Sequence, residues 1–221
     1  MREEALAHPV VGHLFLARLA SGELPARPAL RGFARRYRTY SRRFPEFLRA
    51  TLGVLRPGHR RLLQDNLDEE SGRYGDAELA ALASAGVEAE WVVGVPHPEL
   101  FERFAAAVEA PSQPCPSTDR WCDALLALCW EGPAQAVGAL GFGTEAIVSS
   151  MYASFLPALE RGAVSPRDGV FFPLHVVVDD DHTASLEAIG RDLDPHRMRG
   201  AMLRALELRG QFFDELLAEL D

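Results

Sequence analysis

The sequence predicts an all-α protein folded as a helical bundle, and three observations predict it. Apolar residues recur at spacings of three and four along most of the chain. Proline and glycine punctuate those runs at intervals of helix length. No segment shows sustained period-two alternation bounded by hairpin turns. With 221 residues and 48% hydrophobic composition the chain can bury a sizeable core, and one domain over residues 1–221 is expected.

The elements follow in order. "PVVGHLFLARLASG" starts at Pro9 and closes on Gly22. "PALRGFARRYRTYSRRF" sets Leu30, Phe33, Tyr37 and Tyr40 on one stripe, and "PEFLRATLGVL" follows a break expected at Pro45. "PGHRRLLQDNLDEESG" ends at Gly72, and "DAELAALASAG" at Gly86. "HPELFERFAAAVEA" holds Pro98 in its first turn, and "TDRWCDALLALCWEG" opens on Thr118 as an expected cap. "APSQPCPS", Ala110 to Ser117, reads as a loop between them. "TEAIVSSMYASFLPALERG" follows the glycine-rich "GALGFG". "LHVVVDDDHTASLEAIGRDL" and "PHRMRGAMLRALELRGQFFDELLAEL" end the sequence. "VFFPLHVVV" is the one strand-like run, being rich in β-branched and aromatic residues.

Composition removes several functions. The formal net charge of -9 argues against nucleic acid as a partner, because phosphate binding needs clustered cations. All 23 basic residues are arginine, so a Walker-A lysine, a pyridoxal Schiff base and a catalytic lysine are excluded. "GALGFG" lacks the dinucleotide-binding spacing and has no strand before it. No apolar run reaches membrane-spanning length, and Pro9 interrupts the N-terminal run, so no signal peptide and a cytoplasmic location are expected. Cys115, Cys122 and Cys129 read as buried small hydrophobes in a reducing compartment.

Chemistry concentrates in "HVVVDDDH". On a helix, His175, Asp179 and His182 fall at about 0°, 40° and -20°, while Asp180 and Asp181 turn to about 140° and 240°. Two imidazoles and one carboxylate then converge, a mixed nitrogen and oxygen set suited to iron or manganese. On a strand the same residues would separate to opposite faces. The alternative is a solvated acidic helix with incidental histidines. Glu145 is the sole acid between Gly132 and Leu159, which is costly unless it is paired, ligating or held at a helix N-terminus. Tyr152, seven residues on, shares its face and either lines a cavity or packs in the core. Glu69 and Glu70 oppose the dipole at a helix C-terminus, unless they are surface acids. His97 precedes Pro98 and could cap a helix. His8, His13, His59 and His196 read as structural or surface residues, the last two in exposed arginine-rich stretches.

The ordered set "NLDEESG", "PHPELFERF", "GFGTEAIVSSMY" and "HVVVDDDH" resembles the haem-oxygenase-like di-iron oxidase and oxygenase family, similar in fold to the TenA and PqqC proteins. The resemblance covers most of the chain and implies a bundle of about seven to nine helices. It implies two Fe2+ ions per chain, held by three histidines and three carboxylates. His175, Asp179 and His182 match the family's late helix, Glu145 its middle helix and His97 its early histidine. Glu70, two before Gly72, matches the early carboxylate better than Glu69. In several members that carboxylate and histidine share one helix, whereas "GRYGDAELAALASAGVEAEWVVGV" lies between Glu70 and His97 here. Either this insert loops out and returns His97 to the site, or Glu88 or Glu90 is the early or an additional carboxylate.

The activity implied by the resemblance is O2-dependent oxidation of a small organic substrate in natural-product biosynthesis. N-oxygenation, desaturation or C–C cleavage of an amine or amino-acid derivative is expected, with fatty-acid decarboxylation as the alternative. An external electron donor and a homodimer are also expected. One family member makes p-aminobenzoate from its own side chains and needs a lysine, which this chain lacks. A metal-free TenA-like enzyme would need Cys122 or Cys129 in a pocket. A ferritin-type protein would carry Glu-x-x-His, which is absent. A helical interaction module would leave the acids and histidines unexplained.

Overall fold

The computed structural model describes residues 1–220, and the side chains of all of these except 65 and 178–184. The helices are α1 (Arg2–Leu6), α2 (Leu14–Ser21), α3 (Ala26–Val54), α4 (Pro57–Glu70), α5 (Asp76–Ser84), α6 (Ala89–Val92) and α7 (His97–Ala107). Then come α8 (Pro116–Glu131), α9 (Pro133–Ala136), a π-helical segment (Val137–Glu145), α10 (Ala146–Ala153), α11 (Leu156–Arg161), α12 (Phe171–Gly190) and α13 (Pro195–Ala218). Among the described residues there is no strand, and no helix is long and apolar enough to cross a membrane. These elements outnumber the seven to nine expected because several long apolar runs are split by turns.

Three local expectations are corrected. Pro9 does not start a helix. His13 does, its Nδ1 accepting from the Phe15 N–H at 3.1 Å, while Gly22 at φ +86° ends α2 as its lack of Cβ allows. Pro45 does not break α3, which is continuous over 29 residues. Its ring removes one N–H from the ladder, but Tyr40, Phe47 and Leu48 around it are buried, and packing outweighs the loss. Thr118 is not a cap. Helix α8 begins two residues earlier at Pro116, and the Thr118 hydroxyl donates to Cys115 Sγ at 3.2 Å. The strand-like run "VFFPLHVVV" is helical from Phe171 onward, as the convergence of its site residues requires. Pro173 falls in the first turn of α12, where an N–H has no intrahelical partner in any case.

Packing places the site. Phe33 of α3 meets the rings of Tyr37, Phe101, Phe155, Phe172 and Phe212, with centroids 4.5 to 6.2 Å apart. One side chain thus holds α3, α7, α12 and α13 together. The π-helical segment lies against α13 and α12, and glycines let it approach. A Cβ on Gly138 would stand 2.2 Å from the Met198 carbonyl oxygen, and one on Gly143 would stand 2.6 Å from Ala205 Cβ. Thr144 Oγ1 donates to the Ala139 carbonyl five residues back, at 3.2 Å.

Candidate metal centre

Glu70 is the last residue of α4, and it is buried. The chain then turns aside through Gly72, at φ +81°, packs α5 against α12 with Leu82, Val87 and Val92 buried, and returns after α6. The two ends of this excursion meet. The Gly94 N–H donates to the Gly72 carbonyl at 2.8 Å, and a Cβ on Gly72 would stand 2.5 Å from the Val95 nitrogen. Pro96 caps α7, so His97 enters as its first residue. His97 Nδ1 lies 3.0 Å from Glu70 Oε1, across 27 residues of sequence. The insert therefore loops out and returns His97, while Glu88 and Glu90 are exposed.

Helix α12 brings His175 to the same place. The His175 and His97 ring centroids are 4.7 Å apart. His175 Nδ1 donates to the Phe171 carbonyl one turn back, at 2.7 Å, which puts the proton on Nδ1 and the lone pair on Nε2. Glu70, His97 and His175 each offer a ligand atom, and these atoms lie within 4.8 Å of one another. Glu145 ends the π-helical segment, buried, and lines the same cavity as those three. That cavity measures about 30 Å³, on the order of one or two waters. Asp179 and His182, with Asp180 and Asp181, lie outside the described residues.

The rest of the wall is aromatic. Tyr37, Tyr40, Phe44, Tyr152 and Phe171 line the cavity with the ligand candidates. The Tyr37 and Tyr152 hydroxyls are 2.7 Å apart. Behind them Arg209 of α13 reaches Tyr40 Oη at 2.9 Å and Tyr37 Oη at 3.4 Å, and lies over the Tyr40 and Trp121 rings. Burial pushes all three phenols above their ordinary range, and the Arg209 charge pulls them partly back. Tyr74, from the excursion, meets His97 Nε2 at 2.8 Å. Burial and then the carboxylates of Glu70, Glu69 and Glu78 push its hydroxyl up as well, so it stays a phenol. Sequence reading placed Tyr37 and Tyr40 on a core stripe and missed Tyr74 and Arg209.

The remaining candidates lie elsewhere. His59 is buried, not exposed as expected, because Arg56 and Asp192 close over it. His196 is exposed, and His8 and His13 bond within the N-terminal turns. The three cysteines are buried and free. Burial pushes the Cys122 and Cys129 thiols up to about 12, and neither lines the cavity.

The donors present fit iron. They are buried, mix nitrogen with oxygen, and include an imidazole whose tautomer is fixed by a backbone carbonyl. The comparisons agree at the level of fold and family. A TenA homologue from Pseudomonas syringae superposes with a TM-score of 0.73 at 16% identity, over 98% of this chain and 89% of its own. A CADD-like protein of unknown function from Nostoc punctiforme gives 0.72 at 18%, over 99% and 95%. A domain of unknown function with a haem-oxygenase-like fold from Shewanella denitrificans gives 0.67 at 14%, over 99% and 88%. These likenesses show the haem-oxygenase-like fold. No curated protein matches the sequence. The sequence model for the iron-containing redox enzymes matches residues 31–212, most of the chain, and the protein belongs to that family.

Proposed function

We propose that the protein is an O2-dependent, non-haem di-iron oxidoreductase acting on a small organic substrate. The observation that carries this is the convergence of Glu70, His97 and His175 from α4, α7 and α12 to within 4.8 Å, all three buried. Glu145 lines the same cavity, and Asp179 and His182 of the α12 sequence complete the proposed ligand set. Two ferrous ions, when bound, supply the electrons that activate dioxygen. The carboxylates of Glu70, Glu145 and Asp179 balance cationic charge that the low-dielectric surroundings would otherwise penalise. The phenylalanine and tyrosine walls exclude water, and the Tyr37–Tyr152 hydroxyl pair supplies a polar contact within them. The cavity is smaller than an organic substrate, so binding requires its lining to move, and half-buried Phe44 is the lining residue nearest solvent among its aromatics. An amine or amino-acid derivative is the proposed substrate class, and turnover draws on an external electron donor. The metal-free reading has no support from Cys122 and Cys129, whose thiols burial pushes up and which lie away from the cavity.

The test is an anaerobic ferrous titration followed by oxygen uptake. About two equivalents per chain are expected, with reduced binding in His175→Ala, Glu145→Ala and Glu70→Gln. Asp180→Asn and Asp181→Asn should bind as the parent does. Parental iron binding by both His175→Ala and Glu145→Ala would show that the ligands lie elsewhere.

A further inference from the structure

The excursion between α4 and α7 does more than separate two ligands. It carries Tyr74, four residues after Glu70 and two after Gly72, back against His97. The Tyr74 hydroxyl is 2.8 Å from His97 Nε2, and the two rings are near parallel, 18° apart with centroids at 6.2 Å. The other ring nitrogen, Nδ1, is 3.0 Å from Glu70 Oε1. Both nitrogens of His97 are therefore engaged. A metal shared by Glu70, His97 and His175 must take one of them. Nδ1 faces another ligand candidate and Nε2 faces a phenol, so Nδ1 is the metal-facing atom.

This choice fixes where the ring proton goes. In the structure, Nδ1–H donates to the Glu70 carboxylate, which can only accept, and the Tyr74 O–H donates to Nε2. With metal on Nδ1, a neutral ring must carry its proton on Nε2. One proton leaves Nδ1 to solvent and one arrives on Nε2, so the ring's charge is unchanged. Nε2–H then donates to the Tyr74 oxygen. Only a partner that can both donate and accept serves both arrangements, and a hydroxyl does. We infer that Tyr74 is a positioning residue for the metal centre, holding the His97 ring in place and reversing the sense of their hydrogen bond when metal binds. The inference rests on the assignment of Glu70, His97 and His175 as ligands.

The test uses the full chain with 15N-labelled histidine, followed by NMR without metal and with Zn2+ as a diamagnetic probe. His97 should be protonated on Nδ1 without metal and on Nε2 with it. In parallel, Tyr74→Phe should weaken ferrous binding by about 10- to 100-fold, as loss of a ligand's hydrogen-bond partner does. Its metal-free thermal unfolding should remain close to that of the parent. Gly72→Ala, which disturbs the neck without touching the phenol, should weaken binding too. A His97 proton that stays on Nδ1 in the zinc-loaded protein would overturn the inference. So would parental iron affinity in Tyr74→Phe while His175→Ala loses binding. Parental affinity in both variants would instead overturn the ligand assignment beneath it.

Discussion

Arg209 shows how a single side chain can organise the wall of a site. The residue is 1% exposed, and among the described residues no carboxylate bonds to its guanidinium. Phenol oxygens and two ring faces stabilise the charge instead. Arg209→Ala removes these contacts and leaves a void behind Tyr37 and Tyr40, so a loss of about 3–5 kcal/mol is expected in metal-free urea unfolding. Arg209→Met keeps most of the volume and removes the desolvated charge, and should cost less than alanine. The signal was present in the sequence. Met202, Ala205, Leu206, Phe212, Phe213 and Leu216 form the buried stripe of α13, and Arg209 sits on it. A cation on an apolar stripe needs partners, and the tyrosines of α3 were the residues able to serve.

At the scale of elements, the π-helical segment is held by what its glycines lack. Gly138→Ala would drive a methyl group into the Met198 carbonyl, backbone that cannot rotate away. We expect loss of several kcal/mol, or failure to fold, with the position of Glu145 disturbed. Gly200 gives the contrast. It lies inside α13, and nothing stands within 4 Å of the place an added methyl group would take. Gly200→Ala should therefore stabilise by about 0.5–1 kcal/mol, since only helix propensity changes. Thermal unfolding of the two variants, side by side, checks both. The glycines of "GALGFG" were visible in the sequence, but their five-residue hydrogen-bond pattern was not, because composition carries no register. Pro45 misled in the opposite direction. A local rule predicted a break, and the buried aromatic stripe on both sides of the ring overrode it.

For the molecule as a whole, the described end of the chain is fastened electrostatically. Glu219, just past α13, bonds to Arg36 and Arg35 of α3, and Arg36 also bonds to Glu215 at 2.9 Å. The hydrogen bond from Arg36 leads in holding the Glu219 carboxyl at about 2, below its ordinary 4.5. A depressed carboxylate stabilises the fold fully above 4.5, and the contribution fades as pH falls towards about 2. Glu219→Gln should therefore lower Tm near neutrality and flatten its fall across that window, as a pH series of melts would show. Half-exposure of Glu219 keeps the effect modest.

The bundle was legible from the 3.6-residue periodicity because burial of an apolar stripe is what makes these helices stable. The site was legible in part. Glu145 stood out as an acid in an apolar run, and helical spacing singled out His175, both of which the fold brings to one cavity. The pairing of Glu70 with His97 was open, because nothing in a run of residues tells whether its ends meet. Tyr74 was invisible for the same reason.

The neck at Gly72 and Gly94 has a consequence for how such a chain can change length. Because the neck already closes the loop, residues added at an exposed turn of the excursion add mainly closure entropy. That grows with the logarithm of length, by about 0.6 kcal/mol for each doubling. Residues can be inserted at the exposed turn 83–86 while Glu70 and His97 stay in contact and Tyr74, Leu82, Val87 and Val92 keep their places. The number of residues between two such site residues is then nearly independent of their separation in space, and a neck glycine is a better marker of the partnership than any fixed interval.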